Sequence, residues 1–146
     1  MKILTSLFVS FLFCSAQHKP TLIDAYQQGF AGGHPMSGSG TKHHFIMKIN
    51  TASPFVIKHL WVNGKEVEFE VMNYRMILDR LPTMGDTIDI VYTQRSNDFE
   101  TITNIKKNGK GVPIKNAKNV IGYLINKKMF YLKVNIIRVT EKLNFP

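Results

Sequence analysis

Two runs of alternating apolar residues meet at Asn63-Gly64. Residues 55–62 lie on one side and carry the chain's single tryptophan, Trp61. On the other side, residues 65–72 set Val67, Phe69 and Val71 against Glu66, Glu68 and Glu70. A period of two sends successive side chains to opposite faces of a strand. Asn-Gly supplies the two positive-φ positions of a type I′ turn, whose twist suits the strands it joins. A chain with this feature near its centre is committed there to antiparallel pairing. The apolar set should face a core, and the three glutamates should line the wet side of a sheet rather than form a catalytic carboxylate pair.

The rest of the chain follows the same logic. His44, Ile46, Lys48 and Asn50 alternate with Phe45, Met47 and Ile49, and Ala52-Ser53-Pro54 ends that strand. Asn73 and Tyr74 read as a turn, residues 75–81 as a short strand stopped by Pro82, and Met84-Gly85-Asp86 as the turn into residues 87–93. Residues 99–105 read as another short strand. A second hairpin, residues 120–125 and 129–139 joined at Asn126-Lys127-Lys128, is rich in β-branched and aromatic residues. Its Tyr123, Phe130 and Tyr131 read as core at strand spacing, with a stacking platform as the competing reading. No segment carries a three-turn helical pattern, although Asp24 to Phe30 could make one turn capped by Asp24. The pattern predicts an all-β fold: a two-sheet immunoglobulin-like sandwich of seven or eight antiparallel strands, with a small closed β-barrel as the alternative.

Met1-Lys2, the apolar run from Ile3 to Phe13, and Cys14-Ser15-Ala16 match the three parts of a secretory signal peptide. The run falls short of the ~20 residues of a permanent membrane span. Cleavage after residue 16 removes the only cysteine, so the mature chain has no disulfide even in a compartment that permits one. Lipid attachment at Cys14 wants a small residue before it, and Phe13 stands there, so lipoprotein anchoring is not expected. The expectation is an exported protein, periplasmic or extracellular, with no transmembrane segment after signal cleavage. Residues 17–41 would be a glycine-rich N-terminal lead-in and residues 42–146 one sandwich domain.

The stretch from Gly32 to His44 holds the residues most suggestive of chemistry. Gly33 and Gly38 have the spacing of a phosphate loop, but Ser39-Gly40 stands where Lys-Ser/Thr is needed and a strand follows instead of a helix. His34, His43 and His44 are the candidates for a metal, with a third ligand to come from His18 or His59. The adjacent pair must point to opposite faces of a strand, so at most one could join His34, and no metal or cofactor is expected. Ser37 and Ser39 lack a nucleophile elbow, and the mature chain has no thiol. The glycines read as a crossing between sheets or a run along a sheet edge.

Several features then fall in a recognisable order: Ala16-Gln17, Gly32-Gly33, Ser37 to Thr41, Leu60 to Gly64, and Gly85 to Ile88. This order resembles that of small uncharacterised exported proteins of Bacteroidetes-type bacteria, over roughly residues 1–93. The resemblance implies a secreted β-sandwich and carries no activity and no site residues.

Charge separates the final third from the rest. Residues 17–100 hold eight Lys and Arg against nine acids, whereas residues 101–146 hold ten against one. Lys106, Lys107, Lys110, Lys115 and Lys118 lie in one long basic loop, residues 106–119. Clustered lysines bind anionic polymers by releasing counterions, whereas a solvated loop is the plainer account. Three functions follow. The first is a non-enzymatic exported binding or accessory module of unknown ligand. The second is a polyanion-binding protein using the five lysines on acidic polysaccharide, lipopolysaccharide or DNA at the envelope. The third is a metal-dependent hydrolase using His34 with His43 or His44. A protein partner that pairs with an exposed strand edge is also open.

Overall fold

The computed structural model describes residues 18–31, 38–96, 109–135 and 137–144. Among these the chain forms ten strands and no helix: β1 Thr21–Ala31, β2 Ser39–Lys48, β3 Phe55–Val62, β4 Lys65–Val67, β5 Glu70–Asn73, β6 Met76–Ile77, β7 Thr87–Ser96, β8 Asn119–Ile125, β9 Lys128–Val134 and β10 Arg138–Asn144. They make two sheets, one of six strands ordered β10-β1-β2-β7-β5-β6 and one of four ordered β4-β3-β8-β9. The two sheets are not closed into a barrel, because each keeps its own edge strands.

Alternation builds the core. Strand β2 turns Phe45 and Met47 inward, β7 turns Ile88 and Ile90, β3 turns Phe55 and Leu60, and β8 turns Ile121 and Ile125; all eight side chains are fully buried in one cluster between the sheets. Tyr123 joins them, its ring 5.4 Å from Phe55 and 5.8 Å from Phe130. Tyr123 and Phe130 are therefore core, while Tyr131 lies on the opposite face of β9.

The turns follow the expected chemistry. Asn63 and Gly64 have φ of 51° and 83°, as a type I′ hairpin requires. The second hairpin closes in two residues, Asn126 and Lys127, at φ 49° and 66°. Before β7, Asp86 accepts two bonds from Arg80 and one from the Thr83 N–H. These bonds, Arg80 foremost, hold its carboxyl well below the usual carboxylate range.

Three elements differ from the pattern's forecast. Residues 24–30 are strand rather than a helical turn: β1 pairs antiparallel with β2 and parallel with β10, so both of its edges are bonded. The described residues thus hold ten strands, with one parallel pair, rather than seven or eight all antiparallel. The residues placed in a glycine-rich lead-in include β1 and the start of β2. Residues 65–72 split into β4 and β5, which belong to different sheets, because Val67 packs with the small sheet and Val71 beside β7. Residues 129–139 likewise split, and the chain crosses to the large sheet as β10. The signal peptide at residues 1–16 and the strand read at 99–105 lie outside the described residues.

His43 faces inward beside Tyr92, with ring centroids 5.5 Å apart, and its Nδ1 is buried without a hydrogen-bond partner. Burial, with a smaller push from His44, holds its imidazole below the ordinary 6.5. The unfolded chain therefore takes up a proton that the folded chain resists. This contribution is complete above pH about 6.5 and is lost as pH falls through the folded value. Urea denaturation at about pH 7.5 and about pH 5.5 should show the parent losing stability on acidification and His43→Phe losing less. Equal losses would place the acid sensitivity elsewhere.

Candidate functional site

A β-bulge determines what the small sheet presents. The register between β3 and β8 shifts between Ile57 and His59. Ile57 and Leu60 can then both face the core, and His59 and Trp61 are turned to the outer face. The pairing places His59, Gly122 and Tyr131 in one row across the sheet. Glu66, Trp61, Val120 and Lys133 form the next row.

Glu66 is the centre of this face. Its side chain is only 4% exposed, and one carboxylate oxygen lies 2.7 Å from His59 Nδ1. The other oxygen accepts the backbone N–H of Lys110 at 2.7 Å. Trp61 Nε1 donates to the carbonyl of the same Lys110 at 2.8 Å. The N–H and C=O of a single residue are thus gripped by two side chains from neighbouring strands. A buried carboxylate is tolerated only when its oxygens are bonded in this way. The carboxylate engages Nδ1 of His59, so Nε2 is the ring nitrogen turned away from Glu66.

Beyond the grip, the chain lies against the sheet. Val112, Ile114 and Ala117 pack on Trp61 and Val120 in a second apolar cluster. The far end is tied by Gly64 N–H to the Lys118 carbonyl at 2.7 Å and by Asn63 N–H to Asn119 Oδ1 at 3.0 Å. Residues 110–118 are therefore a strap bound at both ends. Lys110, Lys115 and Lys118 are exposed on it. Lys106 and Lys107 lie outside the described residues.

The large sheet carries a second polar row. His44 Nδ1 is 2.7 Å from Asp89, and the His44 ring stacks on Tyr26 at 4.6 Å and 10°. Arg138 covers the other side of Tyr26 and pairs with Asp24 at 2.6 Å. Burial, then Asp89 and Asp24, push the Tyr26 hydroxyl above its ordinary value.

The histidine candidates separate as alternation demands. His43 is buried toward the core, His44 stands on the outer face, and His34 lies outside the described residues. Among the described residues no group of three or more His, Cys, Asp or Glu is placed to hold a metal ion. No hydroxyl among them is hydrogen-bonded to His44 or His59. The three glutamates do not share one wet face: Glu66 is buried, while Glu68 and Glu70 are exposed beyond the break in the strand. Alternation alone hid Glu66. The signals that could have found it are the apolar Val112, Ile114 and Ala117 in the basic loop, which need a surface to cover.

No family model matches this chain, and no curated protein and no solved structure matches it.

Removing the grip should free the strap. Glu66→Ala leaves the Lys110 N–H and His59 without their acceptor, a loss of about 1–3 kcal/mol by urea denaturation. Limited trypsin digestion read by mass spectrometry should show faster cleavage after Lys110, Lys115 and Lys118 in Glu66→Ala and in Trp61→Phe. Unchanged cleavage in both variants would mean that the strap is held by its apolar contacts and by its bonds at Lys118 and Asn119.

Proposed function

We propose that the protein is an exported, non-enzymatic binding module with an immunoglobulin-like sandwich, and that its ligand is a polyanion met by the basic strap. The observation that carries this reading is the grip of Glu66 and Trp61 on Lys110. A mobile lysine loop loses conformational freedom when it binds. A strap already fixed loses less, so its lysines act as a preorganised set of cations. Lys110, Lys115 and Lys118 then project from a fixed backbone, and Lys133 stands in the sheet row that the strap covers.

Other features support the reading. The uneven charge gathers positive groups in the part of the chain that forms the strap and the strands beneath it. The N-terminal sixteen residues have the form of a secretory signal, and the resemblance to small exported proteins of Bacteroidetes-type bacteria agrees with export to the periplasm or beyond. Two sheets that face each other across one apolar core favour the immunoglobulin-like arrangement. Acidic polysaccharide, lipopolysaccharide phosphates and extracellular DNA are the polyanions of such a compartment.

The test is retention on a heparin column and binding to soluble polyanions across a salt series. The parent should bind at physiological salt, with affinity falling steeply as salt rises. A variant with Lys110, Lys115 and Lys118 changed to Gln should bind more weakly, and the slope of log affinity against log salt should fall by about 1 for each lysine in contact. Equal retention of parent and variant would remove the strap as the binding surface.

A further inference from the structure

The row beside the strap has a composition of its own. Gly122 lies directly between His59 and Tyr131 in the pairing. A Cβ added there would meet His59 Cβ at 3.1 Å, Trp61 Cζ3 at 3.2 Å and Tyr131 Cε1 at 3.4 Å. Three side chains thus close over the glycine. The Trp61 ring supports both neighbours, 5.3 Å from His59 and 6.1 Å edge-on to Tyr131. Trp61 is 2% exposed and Tyr131 is 44% exposed. The result is one open aromatic ring, braced at its side by Trp61, which the strap covers. Lys133 stands on the same face, one row away.

From this we infer that the polyanion is an acidic polysaccharide, with a sugar ring seated on Tyr131 beside His59, and with Lys133 and the strap lysines meeting its carboxylate or sulfate groups. The inference rests on the strap being the binding surface, and it adds the ligand class and a subsite. Two arguments favour sugar over nucleic acid. A pyranose presents a face of C–H groups that covers one aromatic ring, whereas single-stranded nucleic acid uses several aromatics for successive bases. Finally, His59, held by Glu66 at Nδ1, offers its Nε2 at the rim of the same row, a ring nitrogen that can hydrogen-bond a sugar hydroxyl.

Isothermal titration of the purified protein with a polyuronate, a neutral polysaccharide and single-stranded DNA at physiological salt tests this. Tyr131→Ala should weaken polyuronate binding by about tenfold or more with the salt slope unchanged. Tyr131→Phe, which keeps the ring, should restore it. Lys133→Gln should lower the salt slope by about 1, and the DNA should bind more weakly than the polyuronate. If Tyr131→Ala binds the polyuronate like the parent while the Lys110, Lys115 and Lys118 variant does not, the aromatic subsite is wrong and the strap stands. Tighter binding of DNA than of the polyuronate also overturns the inference and leaves the strap. No binding of any polyanion by the parent removes both.

Discussion

A buried carboxylate is among the costliest groups a small domain can carry, and the outer face of the small sheet is organised around one. Glu66 is held at 6% exposure by a histidine ring on one oxygen and a backbone N–H on the other. Left without these partners it would destabilise the fold by several kcal/mol. The geometry that satisfies it also determines where residues 110–118 lie, which way His59 presents its second nitrogen, and how Trp61 is covered. One electrostatic requirement thereby sets the position of a segment more than forty residues away in sequence.

Much of the framework was legible. The Asn63-Gly64 hairpin, the inward set of β2, and the opposite orientations of His43 and His44 all follow from period-two patterning and turn chemistry. The elements that escaped share a physical cause. β1 contains Asp24, Gln27, Gln28 and Gly29, residues with little strand preference, and is held by neighbours on both sides rather than by its own composition. The break between β4 and β5 interrupts an unbroken alternation that nothing local announces, since both halves bury apolar residues in the same core. The bulge at Ile57–His59 reverses which residues face outward, so parity counted from Phe55 mislabels Trp61. The lysines of the strap were visible as a charge cluster, but their rigidity was not. It comes from a glutamate that the alternation assigned to water.

Glycine inside strands recurs with a common solution. Gly40 pairs directly with Phe30, and Gly122 directly with Tyr131. A Cβ at Gly40 would lie 2.9 Å from the Phe30 ring and 2.2 Å from the Gln94 carbonyl. In both places an aromatic ring lies over the bare backbone and replaces the packing that glycine forfeits. The first pair stabilises the outer face of the large sheet and the second that of the small sheet. Substitution at either glycine would push the ring aside, so each pair behaves as a unit.

The parallel joining of β1 to β10 has a consequence for the order of events in folding. Tyr26 is opposite Arg138, and Ala31 opposite Asn144, so nearly the whole chain separates the partners. One edge of β1 stays open until β10 is in place, and only then does the large sheet acquire this edge strand. Contacts of such long range form slowly. Until that long-range contact forms, β1 presents an unpaired row of backbone groups on which another extended segment could settle.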